Sequence, residues 1–386
     1  MGPPERLLSR AFALLWAATF FVFLSFYLLL PILPVYALRQ GTPESAVGVI
    51  IGVFALASMV LKPWAGWALD WRGRKGLLVA GATIFGIACL GYPLARSVWS
   101  LLLLRIFHGF GMGLFPSAGG VVATDLAPAR RRGEAMGVYG MAPNLALAIG
   151  PPLGVALEAT LGYPGFFLTG AAIAGLGTAL STLVPETGHP TDPPPFRWAA
   201  LLAPSALQPG AITLALFLTY GAVIAFLPLL TRALEAGNPG VFFTLMAVAL
   251  VVIRTWAGQL SDRLGRRVVV LPALMVVAAA MALLAVADAA WTIYLAGFLF
   301  GLGVGSAQPA LMAWATDRVA PEDRGRTMAV FYTAWELGIG GGAIALGLLL
   351  PLGGFPALFF ASAVIALGGA ALALRREGER WTVPSR

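Results

Sequence analysis

Two stretches, Gly66-Trp-Ala-Leu-Asp70-Trp-Arg72-Gly73-Arg74-Lys75 and Gly258-Gln-Leu-Ser-Asp262-Arg263-Leu-Gly265-Arg266-Arg267, decide the fold. They stand 192 residues apart in a chain of 386. Working outward, the same offset lays Lys62-Pro-Trp-Ala-Gly66 on Arg254-Thr-Trp-Ala-Gly258, and Gly109, Gly111 and Gly113 on Gly301, Gly303 and Gly305. Ala123-Thr124-Asp125 falls on Ala315-Thr316-Asp317, and Gly133 and Met136 meet Gly325 and Met328. Shared apolar composition produces chance matches of small residues, but not glycines and charges recurring in order. The chain reads as two homologous halves in parallel orientation, an arrangement that places a site at their interface near the bilayer midplane.

The solvent of those halves follows from composition. With 59% hydrophobic and only 11% charged residues, the chain lacks the roughly 25% charge of a water-soluble globule. Long apolar runs exclude a transmembrane β-barrel, whose strands alternate weakly. Apolar runs between charged or Pro/Gly punctuation predict twelve spanning helices: 11–38, 45–69, 76–95, 99–125, 134–160, 164–184, 209–233, 238–260, 267–287, 289–316, 325–349 and 354–374. The first run is too long for a cleaved signal segment and reads as a retained span. The expected organisation is an amino-terminal six-helix bundle over 1–184, a polar, proline-rich linker over 185–208, and a carboxy-terminal six-helix bundle over 209–386.

Charge placement orients the helices. With the amino terminus inside, 19 basic residues fall on inner loops and termini, against Arg39, Arg96 and Arg232 outside. That bias predicts cytoplasmic termini and an inner-membrane, multi-pass protein. It also accounts for the net charge of +8 without any nucleic-acid face. One cysteine, two histidines and no phosphate-binding lysine loop leave no basis for a disulfide framework, a metal cage, a cofactor or an ATP-driven pump.

The duplicated loop resembles the G-x-x-x-D-R-x-G-R-[KR] motif of the major facilitator superfamily, with Trp71 where arginine is usual in the first copy. The resemblance covers essentially the whole chain and implies a two-bundle transporter working by alternating access. It marks Gly66, Asp70, Gly73, Arg74, Lys75 and Asp125, with Gly258, Asp262, Gly265, Arg266, Arg267 and Asp317, as gating residues. In the family the loop aspartate meets the start of the eleventh helix, and the loop arginine meets the acid ending the fourth. Gly150-Pro151-Pro152-Leu153-Gly154 resembles the G-P-x-x-G element of exporters, whose proline kink and close-packing glycines (Gly150, Pro151, Gly154) imply a sealed outer half, although Val155 stands where a small residue is usual. Leu101-x-x-x-Arg105-x-x-His108-Gly109 resembles the fourth helix of the twelve-helix drug:proton antiporter branch, with histidine in place of glutamine.

Few ionisable groups remain at membrane depth, and each is costly there. Glu336 is the one acid near the middle of a span, and low-dielectric surroundings favour the protonated form that a proton carrier needs. It is either the coupling site or a structural group paired with a cation or hydroxyl. Arg105 and His108, one turn apart, share a face: the arginine either holds an anionic substrate group, tunes a carboxylate's pKa or clamps backbone carbonyls, and the histidine either takes up a proton or serves packing. Lys62 and Arg254, two turns before the motif aspartates, read as snorkelling to the interface, with attraction of acidic substrates as the other reading. Asn144, the repeat partner of Glu336, joins Tyr27, Tyr139, Tyr220, Gln308, Tyr332 and Trp335 as candidate cavity residues. Aromatics with a few polar groups suit a small amphipathic compound.

The expected function is therefore monomeric, proton-coupled export of a small amphipathic compound, which many relatives of this branch perform with an acid in the first helix that 11–38 lacks. Facilitated or inward transport of a metabolite without protons is the first alternative. A membrane-embedded lipid-modifying enzyme needs clustered carboxylates, and the acids here are dispersed. A polytopic sensor would have no use for duplicated gating loops.

Overall fold

The Ser9 side chain accepts the N–H of Phe12 and opens the first of the helices that make up the computed structural model. The structure describes residues 9–188, 207–317, 319 and 324–375, with the side chains of Asp70, Thr255 and Arg324 excepted. Most of the linker, residues 189–206, lies outside them. In chain order run α1 (Arg10–Arg39), α2 (Glu44–Arg72), α3 (Lys75–Gly91) and α4 (Val98–Leu126). The next helical stretch, Arg132–Leu183, is two helices joined at Gly162, whose φ of 64° and ψ of 179° are not helical. These are α5 (132–161) and α6 (163–183). Then follow α7 (Leu207–Ala233), α8 (Pro239–Leu264), α9 (Arg266–Ala285), α10 (Ala290–Thr316), α11 (Arg324–Gly347) and α12 (Leu350–Leu374). Among the described residues, twelve helices thus stand where twelve spans were expected.

Consecutive helices reverse direction, so one end of the protein gathers the start of α1, the end of α12, the 73–75 and 265–267 loops and the end of α6. We call it the terminal end and the opposite one the far end. The Gly162 elbow recurs at Gly354, also at φ 64° and 192 residues on. Gly73 and Gly265 form a second such pair, at φ 89° and 98°, a region that L side chains rarely enter. Trp99 and Trp291, again equivalent, lie exposed at the far-end starts of α4 and α10, where an interfacial tryptophan belt belongs.

Within the first half α1 packs on the α5–α6 stretch and α2 on α4; within the second α7 packs on α11 and α8 on α10. The halves meet through α2 with α11 and α5 with α8. At the far end those seams are tight. Gly48 abuts the Ala343 carbonyl, a Cβ on Gly52 would lie 2.5 Å from the Gly340 oxygen, and one on Gly240 would lie 2.7 Å from Pro152 Cα. Thr244 donates to the Ala148 carbonyl at 2.9 Å. Gly52 with Gly340 and Thr244 with Ala148 are the same contact seen twice, since both members shift by 192. One apolar core joins the second bundle to the far half of the first, while a separate core fills the terminal half of the first. The halves are therefore sealed at the far end and part toward the terminal end.

Candidate functional site

Between the parted halves lies a cavity of about 440 Å³. Tyr27 from α1, Arg105 from α4, Tyr139 and Asn144 from α5, Tyr220 from α7, Gln308 from α10, and Tyr332, Trp335 and Glu336 from α11 all line it. Lys62 from α2 and Arg254 from α8 line it as well, as do Met136 and Gly140 toward the terminal end. Trp335 stacks on Phe217 at 4.2 Å with 16° between the planes, an apolar shelf in the wall.

Glu336 does not stand alone. Lys62 Nζ pairs with its Oε1, and Ser58 Oγ donates to the same oxygen at 3.4 Å. The lysine and serine belong to α2 and the glutamate to α11, so this bridge crosses from one bundle to the other. It corrects the snorkelling reading of Lys62. A long cation two turns from a helix end can turn toward lipid headgroups or toward the partner bundle, and the presence of a carboxylate 274 residues away decides it. The Lys62 ammonium also stands 5.7 Å from the Tyr332 ring centroid.

Arg105 is clamped. Its Nε and a terminal nitrogen donate to the Ile50 and Ile51 carbonyls at 3.0 and 3.1 Å, and its guanidinium lies 4.2 Å from the Phe54 ring centroid. His108 is not a cavity residue, contrary to expectation. It is fully buried inside the first bundle, boxed by Phe26, Phe54 and Phe85, with Nδ1 3.0 Å from the Tyr92 hydroxyl and Nε2 without a partner. One helical turn from Arg105 its side chain meets α3 rather than the gap between bundles, because α3 packs against that flank of α4.

The glycines of 150–154 lie against α1. A Cβ on Gly150 would come within 2.7 Å of Tyr27 Cβ, and Gly154 abuts the Leu28 carbonyl, so α1 and α5 touch backbone to backbone. The helix stays continuous through Pro151, and the break in this stretch falls later, at Gly162.

At the terminal end the duplicated loops hold similar ion pairs. Arg266 Nε lies 2.8 Å from Asp317 Oδ2 and also pairs with Asp262; Arg74 Nε lies 3.4 Å from Asp125 Oδ2. The Asp70 side chain lies outside the described residues. Arg267 bonds the Arg375 carbonyl at 3.1 Å and stacks over Trp314, while Gly66 and Gly258 have open space around them. The first loop carries a feature that the sequence did not suggest. Glu186, just beyond α6, accepts the backbone N–H groups of Arg74 and Lys75 at 2.8 and 3.1 Å, and Thr187 donates to Asp125 at 2.8 Å. Partial burial pushes the Glu186 carboxyl upward, but the N–H groups of Arg74, Gly188, Lys75 and Thr187 outweigh it and hold the group below the usual carboxylate range.

Comparison with known proteins agrees with this architecture. The family model described as Major Facilitator Superfamily matches residues 15–253 and 210–386. The multidrug resistance protein MdtG of Enterobacter lignolyticus is 27% identical over 394 residues, covering 96% of this chain and 93% of the relative. Among solved structures, the nucleoside transporter NupG superposes with a TM-score of 0.79 at 13% identity, covering 95% of this chain and 99% of that one. A bacterial homologue of the human lysosomal transporter Spinster, inward-facing and occupied, superposes with a TM-score of 0.78 at 15% identity, covering 97% of each.

Proposed function

Because the chain belongs to the major facilitator superfamily and is a secondary transporter, we propose that it exports small amphipathic compounds by alternating access, coupled to protons through Glu336. The observation that carries this reading is the Lys62 bridge to Glu336, an ion pair joining the two bundles in the wall of the cavity. A proton on Glu336 removes the charge–charge attraction of that pair, and α2 and α11 are then held there chiefly by packing. Release of the proton restores the bridge. In this reading the terminal end lies in the cytoplasm, which its excess of basic residues supports, and the protein works in the inner membrane as a monomer. On that placement the cavity opens toward the cytoplasm, from which a substrate would enter. The MdtG relatives, named for multidrug resistance, support export.

The test uses proteoliposomes, a panel of amphipathic drugs and dyes, and an imposed pH gradient. Glu336→Gln should abolish gradient-driven transport yet keep counterflow exchange. Full gradient-driven transport by that variant would overturn the coupling role. A second reading, facilitated movement without protons, is favoured by how well Lys62 and Ser58 already satisfy Glu336. It expects wild-type flux to ignore the pH gradient.

A further inference from the structure

The offset that relates the bundles also relates the charges in the cavity wall. Lys62 and Arg254 are equivalent positions, and so are Glu336 and Asn144, each pair being 192 residues apart. The bridge from Lys62 to Glu336 therefore has a counterpart across the α8–α5 seam, where Arg254 keeps the cation and Asn144 replaces the acid. All four residues line the one cavity. One half of the pseudo-symmetric site is neutralised from within, and the other lacks its anion.

The remaining charges sharpen the imbalance. Among the described residues the wall holds three cations, Lys62, Arg105 and Arg254, against one carboxylate, Glu336. Lys62 is bound by Glu336, and Arg105 is bound to two backbone carbonyls. Arg254 alone of the three makes no hydrogen bond or ion pair among the described residues, although it is half-buried. The polar groups of Asn144, Gln308, Tyr27, Tyr220 and Tyr332 are equally unspent there. A guanidinium in a low-dielectric wall is stabilised by a counter-charge. Its planar fork matches a carboxylate with two parallel bonds, which an ammonium cannot offer.

We propose that the transported compound is an amphipathic organic anion whose acidic group binds Arg254 and so stands in for the carboxylate missing at position 144. The Asn144 and Gln308 amides donate to its remaining oxygens, and the Phe217–Trp335 shelf takes its apolar body. A cation of the same shape meets a wall of net positive charge and is disfavoured. This assignment rests on the cavity being the transport site, but not on proton coupling.

The experiment is calorimetric binding to the purified full chain, using three isosteric probes: naphthylacetate, its neutral amide, and naphthylethylamine as the cation. Charge-assisted hydrogen bonds of this kind are worth about tenfold or more in affinity. The anion should therefore bind at least about tenfold tighter than either other probe. Arg254→Gln should erase that preference, the anion-to-amide affinity ratio falling to about one, and Arg254→Lys should keep part of it. Equal or tighter binding of the cation by the unaltered protein overturns the proposal without any variant. An anion preference that survives Arg254→Gln also overturns it. If the anion binds through Arg254 but a pH gradient drives no flux, the coupling reading fails and this one stands. If proton-driven flux favours cations, this one alone fails.

Discussion

Gly52→Ala tests whether the far-end seam is a state-specific contact. An added Cβ at position 52 would lie 2.5 Å from the Gly340 oxygen and 2.9 Å from Ile344 Cγ1. The shortest comfortable C···O approach is about 3.3 Å, so α2 and α11 must part by on the order of 0.8 Å. Overpacking of this kind costs roughly 1–3 kcal/mol, or about 5–150-fold in a two-state equilibrium. The cost falls on the conformation closed at the far end, because the other half of the cycle separates these helices. Gly154→Ala makes an equally tight approach to Leu28, but α1 and α5 belong to one bundle and stay together throughout. It should lower thermal stability and leave the ratio of the two states alone. The assay is a spin-label distance distribution between Arg132→Cys and Arg263→Cys in a Cys89→Ala background, both sites being exposed at the terminal end of α5 and α8. Gly52→Ala should shift weight to the shorter distance. An unchanged distribution, or an equal shift from Gly154→Ala, refutes the reasoning.

Three further outcomes are expected. Gly162→Ala forces a side chain into φ 64°, ψ 179° and should cost about 1–3 kcal/mol, read as a lowered Tm without loss of the cavity ligand. His108→Phe fills an aromatic box and removes an unpaired nitrogen, so the pH profile of transport should not change; a shifted profile would return His108 to the proton path. Glu186→Gln should lower Tm at pH 7. The Glu186 pKa is depressed by folding, so its contribution is full above the unfolded value of about 4.3 and is lost as pH falls through the lower folded value. The Tm gap between the two proteins should therefore close in acid, and a gap that widens there contradicts the backbone clamp.

The duplicated architecture was legible because the turns that build it need glycine at a left-handed φ, and Gly73 with Gly265 announce it twice. The cavity aromatics were legible for a related reason: residues four apart, such as Tyr332 and Glu336, share a helix face whichever helix stands opposite. Long cations were not. Lys62 and Arg254 have the same local context, and what separates them is a glutamate at 336 and an asparagine at 144, on helices that only tertiary packing brings near. His108 failed differently, since its neighbour Arg105 does reach the cavity wall and helical periodicity cannot tell a groove from a core one turn away. The Glu186 clamp joins two loops 112 residues apart through backbone N–H groups, which carry no sequence signal at all.

Gly162 alone joins α5 to α6, residues 348–349 join α11 to α12, and the other far-end connections run only four to six residues. The far face is consequently almost bare of chain. The protein has only two lysines, Lys62 within the cavity wall and Lys75 at the opposite end. An impermeant amine-reactive reagent applied to the far face finds no lysine while the protein rests as described, and a protease or antibody finds little to grip. Lys62 becomes the one amine that such a reagent can reach when the far end opens, so its labelling rate is a direct clock for that opening.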